Sequence, residues 1–194
     1  ILEDAYGINL RPLATFAAYA YANDPCAAFA LKGNPGLSEA ETRLTEKVQK
    51  AMAVIQFKVE AALIAENPSF GLDDRNLLHL IDRERGTVMV DGVEYELLDT
   101  TFPTVDWDDP YRLTEDEAAV IEQLCAAFTG SERLQRHMRF FLDRGSLYKI
   151  ENGNLMLHAC VPLAADGSLL EVTLFGKTYR GRALYDMVDA SVRA

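Results

Sequence analysis

The sequence is poor in the residues from which most active sites are built. In 194 residues it has three histidines, three cysteines and one tryptophan. Cys26, Cys125 and Cys160 are odd in number, widely spaced and form no CxxC pair. That suggests reduced thiols in a cytosolic setting rather than a disulfide frame or a zinc knuckle. Positive charge is also scarce: 19 Lys and Arg stand against 30 Asp and Glu, a formal charge of -11. Nucleic acid binding needs clustered cations to neutralise phosphates, so no nucleic-acid partner is expected. No stretch approaches the ~20 apolar residues that would span a bilayer, so no membrane partner is expected either. No secretory leader opens the sequence, which starts at Ile1. Phosphate-cradling patterns of the GxGxxG or GxxxxGK[ST] kind and a Gly-x-Ser-x-Gly nucleophile elbow are missing.

What is present is an apolar fraction of 49%, enough for one sizeable core or a core with a small appended domain. Pro12 to Tyr21 reads as an apolar helix, broken by Asp24-Pro25 and Gly33-Asn-Pro-Gly36. Ser38 with Glu41 makes a capping box, in which each side chain satisfies an orphan amide at a helix start. Leu44, Val48, Met52, Ile55, Val59 and Leu63 then repeat at helical spacing as far as Asn67-Pro68, and core packing is the default reading of such a stripe. A short helix is predicted over Asp74 to Ile81. Thr87 to Leu97 reads as a hairpin turning at Asp91-Gly92, and Asp99 to Tyr111 as a loop.

Thr114 with Glu117 is a second capping box, opening a helix through about Ala127. Another runs from Ser131 to Arg144, with Gly145 at its end. From Leu147 strands are predicted at 147–150, 155–161, 171–175 and 178–180, then a last helix from about Arg182 to Val192. The fold class is α/β, or α+β within these residues: a mostly helical first two-thirds, then a small β-rich segment.

The lead for chemistry is the run Ser146-Leu-Tyr-Lys-Ile-Glu-Asn-Gly-Asn-Leu-Met-Leu-His158-Ala-Cys-Val-Pro162. It reads as strand, tight turn and apolar strand, with His158 where a buried strand opens into a loop, a placement suited to a metal ligand. The bland alternative is a half-buried, hydrogen-bonded histidine at a strand end. His79 and His137 have no second histidine or cysteine at i+3 or i+4 and read as structural. Asp106, Asp108 and Asp109 lack the ligand spacing of a Ca²⁺ loop and read as a solvated acidic loop. Cys160 shares a strand face with His158 without thiol-enzyme geometry, so a packed thiol is expected. These residues do not amount to a complete active site.

Several segments together resemble class III fructose-1,6-bisphosphatase, the Firmicutes type. They are Leu2-Glu-Asp-Ala-Tyr-Gly-Ile-Asn-Leu-Arg-Pro-Leu-Ala14, Asp24-Pro-Cys26, the block Ile81–Asp106, Asp109-Pro-Tyr-Arg-Leu-Thr114, the run ending at Pro162, and Gly181-Arg-Ala-Leu-Tyr-Asp186. That family is similar to the calcineurin-like metallophosphoesterases, whose two-metal site uses Asp-x-His, Gly-Asp-x-x-Asp-Arg-Gly, Gly-Asn-His, a later isolated histidine and a final Gly-His motif. Here only the isolated histidine has a counterpart, His158. The family reads His-Gly-Cys at this point, whereas this sequence has His158-Ala-Cys160, and the added methyl takes room that Gly leaves.

The resemblance implies an internal piece of a longer phosphatase. Residues 1–37 would be a helical segment of the phosphatase core, 38–144 a helical insertion, and 145–194 the start of the second half of a metallophosphoesterase sandwich. It implies hydrolysis of fructose 1,6-bisphosphate in gluconeogenesis at a two-metal Mn²⁺ centre, with His158 as one nitrogen ligand. It also implies a sugar bisphosphate partner and a cytoplasmic setting, and leaves a homo-oligomer open. Every carboxylate ligand would lie outside residues 1–194, so the piece is expected to be inactive alone. Two further readings stand beside this one: the same fold acting on a phosphoprotein or a dinucleotide polyphosphate, and a non-catalytic interaction or assembly domain.

Overall fold

The computed structural model describes residues 2–33, 36–158 and 160–193. Asn34-Pro35 of the expected break after Gly33, and Ala159, lie outside the described residues. The chain divides into two compact units, residues 1–131 and 132–194.

In the first unit, α1 (Leu2–Tyr6), α2 (Arg11–Ala20), α3 (Glu39–Glu66) and α4 (Glu115–Gly130) are joined by turns and by a three-stranded antiparallel sheet. That sheet consists of β1 (Ile81–Asp82), β2 (Thr87–Val90) and β3 (Val93–Glu96). Both capping boxes form: Ser38 and Glu41 close the start of α3, and Thr114 and Glu117 that of α4. Each is worth about 1 kcal/mol of helix stability. Asp91 and Gly92 take φ of 51° and 76°, as a type I′ turn requires, and Val90 pairs with Val93.

The helix expected over Asp74 to Ile81 is instead two single 3₁₀ turns, Asp73–Arg75 and Leu78–Leu80, followed by β1. So short a segment cannot recover the cost of nucleating an α-helix unless it packs an apolar face, and of these residues only Leu78 is buried.

The core lies where α2, α3 and α4 meet, built from Leu13, Phe16, Ala17, Tyr21, Ala51, Ile55 and Val120. It bears out the expected stripe on α3 at Ile55 and Val48 and corrects it at the other four positions. Leu44, Met52, Val59 and Leu63 are 37%, 37%, 40% and 54% exposed, whereas Lys50 and Lys58 are each 1% exposed. The buried face is rotated toward Lys50, Val54, Lys58 and Ala61 because both lysines find partners inside. The Lys50 ammonium donates to both Asp24 oxygens and to Asp99 Oδ1, all at 2.7 Å. Lys58 donates to Glu117 Oε2 and the Thr104 carbonyl, both at 2.7 Å. These bonds fasten the loop 99–111 and the start of α4 onto α3. A buried charge is tolerated only with such pairing.

The second unit carries α5 (Glu132–Arg144), the hairpin β4 (Tyr148–Glu151) with β5 (Asn154–Leu157), a second hairpin β6 (Val172–Leu174) with β7 (Lys177–Tyr179), and α6 (Arg182–Arg193). Gly145 ends α5 for a steric reason: a Cβ there would stand 2.5 Å from the Phe141 carbonyl oxygen. Both hairpins turn on left-handed pairs, Asn152-Gly153 and Phe175-Gly176. The chain is thus mixed helix and strand, with the small sheets concentrated late. Among the described residues no helix is long and apolar enough to cross a membrane.

Candidate functional site

The site is built on the β4–β5 hairpin. Tyr148 pairs with Leu157, Lys149 with Met156, Ile150 with Leu155 and Glu151 with Asn154 around the Asn152-Gly153 turn. The predicted strand 155–161 stops at Leu157, so His158 is the first residue beyond the ladder. The hairpin is not the buried strand the sequence suggested, since Ile150 and Leu155 are 57% and 56% exposed. Two strands make no second layer, and an apolar alternation reports burial only where something covers it.

His158 is exposed, and among the described residues its ring has no hydrogen-bond partner. That exposure differs from the half-buried placement of the alternative reading. Cys160 is exposed rather than packed.

The backbone at Cys160 is held from α6. Tyr185 Oη donates to the Cys160 carbonyl at 2.8 Å. The Tyr185 ring meets the Tyr148 ring edge-on, with centroids 6.0 Å apart. Tyr148 Oη donates to Asp186 Oδ1 at 2.8 Å, and this bond to a carboxylate raises the pKa of the phenol. The Arg182 guanidinium lies 5.9 Å from the Tyr148 ring centroid and 3.4 Å from Asp186 Oδ2. Tyr148, Arg182 and Tyr185 themselves line an apolar recess of about 240 Å³, together with Ile150, Leu155, Leu157, Val161, Leu169 and Gly181.

Two other sequence candidates are engaged elsewhere. His79 Nδ1 is 2.7 Å from Tyr111 Oη. In the acidic loop, Asp106 and Asp109 pair with Arg112 at 2.5 and 3.9 Å, and these side chains are exposed. Among the described residues no three His, Cys, Asp or Glu side chains come together as a metal centre. His158 is thus one imidazole donor whose ring is without a hydrogen-bond partner among the described residues. It fits one position of a metal's ligand set and cannot form the set by itself.

Sequence reasoning passed over Lys50, Lys58, Tyr148 and Tyr185. For the tyrosines a signal existed, because Tyr185 lies within the Gly181–Asp186 block. Nothing local announces that its hydroxyl reaches Cys160.

Comparison with known proteins covers the whole chain. The profile of the family described as Firmicute fructose-1,6-bisphosphatase matches residues 1–194. "Fructose-1,6-bisphosphatase class 3" of Clostridium novyi (strain NT) is 49% identical over 193 residues, covering 99% of this chain and 29% of the relative. The protein of that name from Bacteroides thetaiotaomicron is 48% identical over 195 residues, 99% of this chain and 29% of its own length. That from Clostridioides difficile (strain 630) is 45% identical over 194 residues, 100% of this chain and 29% of its own. The chain therefore spans under a third of the length of these curated relatives. No solved structure matches it. By the match along its full length, the chain belongs to the Firmicute fructose-1,6-bisphosphatase family.

Proposed function

We propose that this chain is an internal piece of a phosphatase that hydrolyses fructose 1,6-bisphosphate to fructose 6-phosphate and phosphate, a step of gluconeogenesis in the cytoplasm. The observation that carries the reading is the family match over residues 1–194, joined to relatives that share nearly half of its residues and are named for this activity. The short span, 29% of those relatives, supports the reading as a piece. The three free cysteines agree with a reducing compartment.

On this reading the chain supplies His158 as one nitrogen donor to Mn²⁺ ions whose other ligands lie outside residues 1–194. Divalent ions, once bound, neutralise charge on the phosphoryl oxygens and acidify a water. The part played by this chain's own residues is mechanical: the hairpin brings an imidazole to the end of a ladder, and Tyr185 of α6 holds the Cys160 carbonyl.

The test is phosphate release by the full-length protein with Mn²⁺, comparing fructose 1,6-bisphosphate with a phosphoprotein and a dinucleotide polyphosphate. Strong preference for the sugar bisphosphate is expected. Preference for either competitor, or no hydrolysis of any of the three, overturns the reading. Residues 1–194 alone should give no turnover, since one donor does not make a centre.

A further inference from the structure

We propose that the apolar recess on the β4–β5 hairpin seats a segment of the same polypeptide lying outside residues 1–194; the proposal rests on the reading of this chain as a piece of a longer protein. Among the described residues of 132–194 only Leu184 is buried. The first unit, by contrast, closes its own core between α2, α3 and α4. In the second unit the apolar side chains are sorted but not covered. Alternate residues of a strand share a face, so the register puts Tyr148, Ile150, Leu155 and Leu157 on one side of the hairpin. Lys149, Glu151, Asn154 and Met156 take the other. An antiparallel sheet sorted in this way packs its apolar face and leaves the other to water. The helix α5 repeats the pattern: it buries no residue, and Met138, Phe141 and Leu142, at helical spacing, are all exposed.

The form of the recess limits what fits it. Its volume, about 240 Å³, lies below the ~300–1,000 Å³ of small-molecule sites. The polar side chains at its edge are already engaged: Tyr148 Oη with Asp186, Tyr185 Oη with the Cys160 carbonyl, and Arg182 with Asp186. They leave little to hold a polar ligand, while Ile150, Leu155 and Leu169 stay exposed. The opening therefore suits one or two apolar side chains carried on a protein segment. A formal charge of -11 opposes a second copy as their source, because like-charged copies repel. The relatives point to the polypeptide itself. This chain covers 29% of their length, so each carries more than twice as much sequence outside the matched region as within it.

The experiment uses the full-length protein with a cysteine at one of two neighbouring positions on opposite faces, Ile150→Cys or Glu151→Cys. In this chain Ile150 is 57% exposed and the Glu151 side chain 54%, so exposure here predicts similar reaction rates. Maleimide labelling of the native protein is read site by site by mass spectrometry. A covered recess should slow the Ile150→Cys thiol about tenfold or more relative to the Glu151→Cys thiol. In unsubstituted protein made with a diazirine analogue of leucine, Leu155 should cross-link to a peptide outside residues 1–194 of the same molecule.

Equal labelling at the two positions overturns the proposal. So does a Leu155 cross-link to a second copy, seen at twice the protein's mass, or the lack of any cross-link beyond residue 194 or before residue 1. Where Ile150→Cys fails to fold, the cross-link decides alone. Failure of the reading beneath the proposal looks different: the gene would then code for no more than residues 1–194. Loss of the sugar-bisphosphate activity in the hydrolysis test would leave the covered recess standing.

Discussion

Lys58 and Glu117, 59 positions apart in sequence, meet at 2.7 Å in a core where neither side chain is exposed. The same glutamate oxygen accepts the Thr114 amide and so completes the cap of α4. One carboxylate therefore closes a helix start and neutralises a buried ammonium from α3. Its other oxygen, Oε1, is buried without a partner among the described residues, which makes the glutamate dependent on the lysine. Lys58→Met strands that charge and should cost about 3–5 kcal/mol in denaturant unfolding of the chain. Adding Glu117→Leu removes the stranded charge, so the double variant should be less destabilised than Lys58→Met despite losing a cap. A double variant that is no better would show that the pair does not compensate itself.

This core shows where sequence reading stops. The capping boxes at Ser38 and Thr114, and the turns at Asp91-Gly92 and Asn152-Gly153, were legible because each is settled within four residues by backbone angles and orphan amides. The buried face of α3 was not. Lysine reads as surface unless its partners are known, and Asp24, Asp99 and Glu117 come from distant segments. His158 was legible as the residue at the end of the hairpin. Its exposure, and the hold of Tyr185 on the Cys160 carbonyl, depend on tertiary placement that no local spacing encodes.

Cys26 is buried beside the same network, in a left-handed conformation with φ of 47°, its amide donating to Asp24 Oδ1 at 2.8 Å. Burial first, then the Asp24 carboxylate, pushes its thiol up to about 11, while Lys50 pulls the other way. Since the thiolate is the reactive form, Cys26 should resist a disulfide reagent at pH 8. The exposed Cys125 and Cys160 should react promptly, and the third thiol only after denaturation. The sign of the pH dependence follows. The folded thiol holds its proton more tightly than the unfolded one, whose ordinary value is 9.0. Its contribution is complete below that value and is lost as pH rises toward about 11. Cys26→Ala should flatten this part of the stability–pH curve, and an unchanged slope would refute the assignment.

Phe175 sits in the turn between β6 and β7 with φ of 51°, its ring 75% exposed. A bulky side chain in the left-handed region costs roughly 1–2 kcal/mol, and an exposed ring recovers little by burial. The equivalent positions of the other two hairpins hold Asp91 and Asn152, residues that tolerate this conformation. Phe175→Asn should therefore stabilise the hairpin by about 1 kcal/mol, seen as slower amide exchange in β6 and β7. Faster exchange would mean that the ring makes a contact worth more than the strain.

His158 can be removed with little cost to the fold, and this makes a metal-binding test of it readable. Its ring is exposed and has no hydrogen-bond partner among the described residues, and the Leu157–Tyr148 pair that ends the ladder precedes it. Exposed substitutions away from such features usually change stability by less than about 0.5 kcal/mol. His158→Ala should therefore unfold at the same denaturant midpoint as the parent chain, with an unchanged slope. A structural histidine, bonded at a strand end, would instead cost about 1 kcal/mol or more when removed. If the midpoint holds while metal binding by the full-length protein collapses, the loss belongs to ligation and not to folding. A fall in the midpoint of this chain would return His158 to the structural role that its place beside the hairpin also allows.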